Sequence, residues 1–259
     1  MSPGDLEPVP RAGLRLLQST GSTNDEARAW IEHGASDGAT VVADIQTQGR
    51  GRAGRSWHAP AGVNLSLSQV ILAPPEHLRL VPVLGALCAR AAIADHLPQF
   101  YKVGIKWPND ILVLGLKIAG ILAELMTEPV MGAVLGIGVN VNTRSGQFPN
   151  DLRRPAASLR MLAGRNVARA DLLDTLLRQI DSYRELWRTS PRLLVAEFAE
   201  HCITLGRRIL VHPPGSEAFE ATAHGIASDG ALLCTDDDDN EITVTAGDVD
   251  PLDCSRPIR

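Results

Sequence analysis

Along the 259-residue chain the spacing of hydrophobic and polar positions changes period several times, and each change marks an element. In "STNDEARAWIEHG", Thr23 followed three residues later by Glu26 has capping-box spacing. Ala27, Trp30 and Ile31 share the helical face that follows, and Gly34 supplies a stop. "ATVVADI" (39–45) is short, apolar and partly β-branched, which predicts a buried strand. Val63, Leu65 and Leu67 alternate with Asn64, Ser66 and Ser68, the strand period, and predict another. The alanine-rich stretch 78–97 predicts a buried helix with Pro82 in its first turn. "VGIKW", "DILVL", "KIAGILAEL" and "GAVLGIGVNVN" are apolar runs divided by turn residues such as Pro108-Asn109 and Gly115, and predict an antiparallel meander. Leu173, Leu176, Leu177, Ile180 and Tyr183 place a helix over 170–187, and Ser190-Pro191 opens a further one to about His201.

Near Thr204 the texture changes. Short β-type runs broken by Pro-Pro-Gly, Ser-Asp-Gly and an acidic run predict a small β-barrel-like unit, dividing the chain into 1–203 and 204–259. Asp236 to Asp239 read as a solvated hairpin tip rather than a metal site.

Composition narrows the chemistry. Apolar residues at 44% and charged residues at 21% suit a globular chain with a sizeable core. A net charge of −5 offers no general attraction for nucleic acid, so any anion site must be local. Cys88, Cys202, Cys234 and Cys254 lie far apart without zinc spacing, which argues against a disulfide framework or a metal cage. The first residues lack a charged segment followed by an apolar one, and no uncharged apolar run reaches the ~18 residues of a membrane span. A soluble, cytoplasmic protein with no membrane partner is the expectation.

The local cluster is "QGRGRAGRSW" (48–57). Gly49, Gly51 and Gly54 fit a dinucleotide fingerprint, and Gly49 to Ser56 fits a P-loop with Arg55 at the lysine position. Both motifs require a helix at the last glycine. Pro60 and Gly62 interrupt the chain and a strand follows, and no crossover helix leads to Glu76 as a ribose-binding acid. The segment is therefore expected to be a strand-to-strand loop whose mutually repelling arginines, Arg50, Arg52 and Arg55, close like a lid over an anion.

Three further stretches carry polar groups at strand ends: "KWPNDILV" (106–113), "LKIAGILAEL" (116–125) and "GIGVNVN" (136–142). Lys117 leads into an apolar strand, which puts its ammonium at the rim of a sheet face, and Gly120 leaves room beside it. There is no nucleophilic triad and no histidine metal cage. Positive charge, backbone amides and an apolar slot suit an apolar carboxylate and a nucleotide bound together, with charge stabilised as a phosphoryl group is attacked.

Taken in order and spacing, "STN" (22–24), "GRGRAGRSWHAPAGVNLSLS", "KWPNDILV", "KIAGILAE" and "GIGVNVN" resemble the biotin–protein ligases over roughly residues 16–250. The resemblance implies an α+β fold: a mixed sheet with flanking helices, akin to class II aminoacyl-tRNA synthetases, plus a C-terminal SH3-like barrel. It implies that biotin and MgATP give biotinyl-5′-AMP, which a lysine of a biotin carboxyl carrier domain then attacks. Carried over residue by residue, it implies Ser22, Thr23, Asn24 and Gln46 at the biotin head group, with Gly120 in the same pocket. It further implies Arg50, Gly51 and Arg52 over the carboxylate and α-phosphate, Arg55 assisting, and Lys117 at the reacting centre with Arg52. Trp57 and Lys106 resemble residues on the ATP and adenylate side, Asn109 and Asp110 resemble phosphate- and Mg-side residues, and Asn140 resembles an adenine contact. No metal site built by the protein alone is implied, since Mg²⁺ arrives with ATP. Lipoate or octanoate ligases and transferases of related fold, and a non-catalytic biotin-binding regulator, are the rival readings. Some members carry an N-terminal winged helix-turn-helix. Here 21 residues precede Ser22, so no DNA partner is expected; monomer and homodimer both remain open.

Overall fold

The computed structural model describes residue 6 and residues 11–252. A seven-stranded mixed sheet carries strands β1 (Leu14–Thr20), β2 (Thr40–Gln46), β3 (Leu65–Leu72), β4 (Val103–Lys106), β5 (Asp110–Val113), β6 (Leu116–Met126) and β7 (Gly132–Val139). Their order is β1-β2-β3-β7-β6-β5-β4; β1 and β2 run parallel, and all other pairs are antiparallel. The meander from β4 to β7 is present as expected. β1 is an addition: Leu14 and Leu16 separated by Arg15 give too short an alternation to mark a strand, and pairing along β2 supplies the rest.

One face of this sheet is the main core. Leu65, Leu67, Ile71, Ile121, Leu135 and Ile137 are buried there, the β6 and β7 residues against α3 (Val81–Asp95). α3 is apolar on every side, and it is packed between the sheet and two further helices, α5 (Arg169–Thr189) and α6 (Pro191–His201). The expected helix from 78 is two pieces: a single turn, α2 (Pro75–Leu78), precedes α3, in which Pro82 lies in the first turn. Short α4 (Leu159–Ala163) is capped by the Ser158 hydroxyl, which accepts from Met161 N.

The opposite sheet face is covered only in part. α1 (Thr23–Glu32) buries Ala27 and Ile31 against Val41, Val70, Met126 and Val134. Its N-terminus departs from the expected capping box. Ser22 is the N-cap, Glu26 accepts from the Thr20 hydroxyl at 2.7 Å, and Thr23 lies inside the helix. The Thr23 hydroxyl is instead committed to Gln46 and Ser68, which draws it away from the helix end.

β8 (Arg207–His212), β9 (Phe219–Ile226), β10 (Leu232–Thr235), β11 (Glu241–Val244) and β12 (Asp248–Pro251) form a five-stranded antiparallel sheet in the order β11-β10-β9-β8-β12. Asp236 to Asp239 are the β10–β11 hairpin tip, where Asp236 accepts from the backbone N–H groups of Asp238 and Asn240. Trp107, from "KWPND", ties the two sheets together: its indole N–H donates to Gly230 O and its backbone N–H to the Thr204 hydroxyl, both at 3.0 Å. Cys88, Cys202 and Cys234 are buried free thiols, and burial pushes the Cys234 thiol up to about 11; Cys254 lies outside the described residues. Among the described residues no helix is long and apolar enough to cross a membrane.

Candidate active site

The partly covered face becomes a cavity because its strands carry almost no side-chain bulk. In register across β3, β7 and β6, Ser66 faces Gly138, which faces Gly120; Ser68 faces Gly136, which faces Leu122. The result is a cavity of about 570 Å³ with a polar end under α1 and a cationic end under the arginine segment, within the usual size of ligand pockets. Ser22, Thr23, Asn24, Gln46, Arg50, Gly51, Arg52, Arg55, Trp57, Lys106, Asn109, Asp110, Lys117 and Gly120 all line it, so the separate motifs converge.

At the polar end, Gln46 Oε1 accepts from both the backbone N–H of Thr23 (2.8 Å) and its hydroxyl (3.0 Å). The Ser68 hydroxyl lies 2.7 Å from Thr23 Oγ1 and 2.5 Å from Asn24 Oδ1, while Asn24 Nδ2 donates to Glu124 at 2.6 Å. Ser22, Thr23, Asn24 and Ser68 are buried. A buried cluster of this kind is stable only if hydrogen-bonded, and these bonds fix each group's direction. Gly136 is required here because a Cβ would strike Asn24 Oδ1.

The arginine segment joins β2 to β3, as expected of a strand-to-strand loop, with no helix beyond one 3-10 turn at Arg52–Gly54. It is a small hairpin: Arg50 and Ser56 form a bridge, Gly51 N donates to Arg55 O at 2.7 Å, and Trp57 N donates to Gly49 O at 2.8 Å. The picture of three mutually repelling arginines needs correcting. Arg50 makes two 2.6 Å hydrogen bonds to Asp25 and lies 3.5 Å from Glu124, and the Asp25 bond raises its pKa further. Arg55 pairs with Asp248 at 2.8 Å. Arg52 alone of the three has no carboxylate within ion-pair distance among the described residues; its contact is with Gly247 O at 3.3 Å, and burial lowers its pKa.

Lys117, at the start of β6, makes a 2.6 Å ion pair with Asp110, and its ammonium is 5.6 Å from the centre of the Trp57 ring. That ring lies on the glycine floor: a Cβ at Gly138 would come within 2.5 Å of it and one at Gly120 within 3.2 Å. Its indole N–H is buried without a hydrogen-bond partner among the described residues. The room expected beside Gly120 is thus shared by Trp57 and Lys117. Lys106 is buried in the cavity wall, and burial, reinforced by nearby Arg154, brings its pKa down to about 8.

Asn109 and Asn140 are held by backbone bonds. Asn109 Nδ2 donates to Ile121 O at 2.7 Å while its backbone accepts from Ile121 N. Asn140 does not reach the cavity: its Nδ2 donates to the carbonyls of Lys117 (3.4 Å) and Ala157 (3.2 Å), pinning the segment before α4 beside β6. Two buried carbonyls thus take up its amide donors.

Sequence reasoning missed several cavity residues. Ser66 was legible as a strand position and not as a floor, and Ser68 not as the buried support behind Thr23 and Asn24. Arg153 and Arg154 reach the cavity from the segment before α4, and Asp248 and Asp250 from β12. Arg153 bonds both carboxylates (2.8 and 2.6 Å) and Arg154 bonds Asp250 (2.5 Å). Burial works to raise the pKa of each carboxylate, but arginine bonds outweigh it and hold both below the usual range. The only advance signal was the adjacent pair Arg153-Arg154 and the i, i+2 acids.

Comparison with known proteins agrees with this geometry. The model of the biotin/lipoate A/B protein ligase family matches residues 16–140. The chain is 35% identical over 246 residues to the biotin–[acetyl-CoA-carboxylase] ligase of Mycobacterium tuberculosis, covering 91% of this chain and 88% of that protein. It is 33% identical over 216 residues to the bifunctional ligase/repressor BirA of Bacillus subtilis, covering 82% of this chain and 66% of that protein. The fold is that of the Aquifex aeolicus biotin protein ligase in complex with biotin and ATP, with a TM-score of 0.76 at 24% identity over 93% of this chain and 98% of the other.

Proposed function

The chain belongs to the biotin–protein ligase family, and on that premise we propose that it activates biotin with ATP and transfers it to a lysine of a biotin carboxyl carrier domain. In the first step a biotin carboxylate oxygen attacks the α-phosphorus, giving biotinyl-5′-AMP and displacing pyrophosphate. In the second the lysine amine attacks the acyl carbon, forming an amide and releasing AMP.

One observation carries the reading: a single cavity holds a fixed hydrogen-bonding cluster at one end and cations at the other. A ureido ring has two N–H groups and one carbonyl to satisfy, and Thr23, Asn24 and Gln46 present both donors and acceptors, held from behind by Ser68. A dithiolane or alkyl chain has none, and would leave those buried groups without a ligand partner, which favours biotin over lipoate or octanoate.

At the other end a carboxylate and a triphosphate must approach although both are anionic. Lys117 and Arg52, which has no carboxylate partner among the described residues, supply positive charge at their meeting point, and Lys106, Arg55, Arg153 and Arg154 surround the phosphate side. Mg²⁺ bound to ATP phosphates needs only one or two protein carboxylates, and Asp110, beside Lys117, fits that need. The metal would neutralise the leaving pyrophosphate. The hairpin 50–56 shields the anhydride from water until the acceptor lysine arrives.

Biotin-dependent exchange of labelled pyrophosphate into ATP tests the reading. Exchange is expected with biotin and not with lipoate or octanoate; equal exchange with lipoate would overturn the assignment of biotin.

A further inference from the structure

Glu124 lies within "LKIAGILAEL" but is given no role there, yet it touches both ends of the recognition apparatus. It follows Gly120 and Leu122 on the cavity face of β6, at the point where α1 begins to cover the sheet. One of its oxygens, Oε2, accepts from Asn24 Nδ2 at 2.6 Å and lies 3.5 Å from Arg50 Nη2.

The first contact settles which way the Asn24 carboxamide points. An ionised carboxylate only accepts, so the atom facing it must be the nitrogen. The oxygen then faces Ser68, whose hydroxyl can donate to it at 2.5 Å. Without the carboxylate the amide could turn over, presenting a donor where the ligand needs an acceptor. The second contact acts on the hairpin. Arg50 is its first residue, bridged to Ser56, and is held from below by Glu124 and from the side by Asp25, the residue after Asn24. Half-exposed ion pairs of this kind contribute little to global stability, so the arrangement needs another explanation than holding the fold together.

We propose that Glu124 is a positioning residue that couples head-group recognition to closure of the arginine hairpin, by orienting Asn24 and holding Arg50 with the same carboxylate. The proposal rests on the biotin-activating reading and specifies how its two halves communicate. A ligand that engages the oriented Asn24 reinforces the Glu124 position and thereby the position of Arg50. By linkage, a closed hairpin favours the ligand-ready amide to the same degree.

The test uses the full chain with Glu124→Leu and Glu124→Gln. Leucine removes both contacts; glutamine keeps an oxygen able to accept from Asn24 while losing the charge toward Arg50. Glu124→Leu is expected to raise the KM for biotin about tenfold, leave the KM for ATP within twofold, and release biotinyl-AMP several-fold faster. Glu124→Gln is expected to speed release while changing the KM for biotin less than threefold. Combining Glu124→Leu with Asn24→Ala should raise the KM for biotin no further than Asn24→Ala alone. A merely structural glutamate would lower kcat or the melting temperature without this split. Wild-type values of both biotin KM and adenylate release in Glu124→Leu overturn the proposal, as does full additivity with Asn24→Ala. Tryptic cleavage after Arg50, Arg52 and Arg55 in the ligand-free proteins gives a readout independent of the reaction. Faster cleavage in Glu124→Leu supports the hold on the hairpin, and unchanged cleavage refutes it. Absence of biotin-dependent exchange in the wild type sinks the functional reading instead, and the cleavage comparison then decides the coupling by itself.

Discussion

Gly136→Ala isolates the polar end of the cavity with one methyl group. The backbone of Gly136 has no positive φ, so alanine introduces no conformational strain and the effect is steric. The new Cβ would overlap Asn24 Oδ1 and lie 3.2 Å from both Asn24 Cγ and the backbone oxygen of Leu122. The Leu122 carbonyl belongs to the β6–β7 ladder and cannot retreat, so Asn24 must. Turning it away breaks its bonds to Ser68 and Glu124, about 1 kcal/mol each, and an off-rotamer side chain costs about 1 kcal/mol more. A loss of roughly 2–3 kcal/mol corresponds to an increase of about 30- to 150-fold in the KM for biotin. Pyrophosphate exchange measured against biotin and ATP separately is the assay, with thermal unfolding alongside. Gly138→Ala is the matched control: its Cβ meets the Trp57 ring at 2.5 Å, so it should raise the KM for ATP more than that for biotin. A biotin KM within threefold of wild type in Gly136→Ala would refute the placement of the head group at Asn24.

Lys117→Ala should lower single-turnover adenylate formation by roughly 100-fold or more, the scale of losing one preorganised charge partner, while circular dichroism shows an intact fold; near-normal adenylation would remove Lys117 from the reacting centre. Lys106 should make stability depend on pH. Its folded pKa of about 8 lies below the ordinary 10.5, so between these values the unfolded chain binds more protons and stability rises with pH, by at most about 3 kcal/mol. Lys106→Met should abolish that rise in denaturant titrations, whereas wild-type kcat/KM for ATP should fall above about pH 8 as the cation is lost; a flat wild-type profile would contradict the assignment. Arg52→Gly should slow adenylation and let biotinyl-AMP escape, so that lysines on unrelated proteins become biotinylated. Adenylate retained as in wild type would exclude a role for Arg52 in shutting the cavity.

Local order was legible wherever a period persisted. The β4–β7 meander, α5, α6 and the acidic hairpin tip all follow from patterns that span a whole element. β1 was not legible, since a seven-residue edge strand with one intervening arginine shows no more alternation than a loop can. Within the site, sequence identifies groups and not their neighbours. The alternation in Leu65 to Ser68 marks a strand, but whether its serines meet water or a cavity depends on glycines in β6 and β7 opposite them. Arg50 and Arg55 look like free cations because their partners are far away in the chain: Asp25, Glu124 and Asp248. Asn140 illustrates the converse, a motif residue whose amide donors are taken up by backbone carbonyls that no sequence pattern reveals.

The carboxylates of β12 impose an order of events on the newborn protein. Arg55 and Asp248 are 193 residues apart, an interval of roughly 10–40 s at ordinary translation rates of ~5–20 residues per second. For that time Arg55 lacks the acid that later balances it, and the Arg153-Arg154 pair, made about 95 residues before its acids, lacks them for roughly half as long. The first sheet is complete once β7 has been made, so a nascent chain displays a finished floor beneath a cationic rim in search of anions. Docking of β12, one short strand, then supplies both acids at once and pairs Arg55, Arg153 and Arg154.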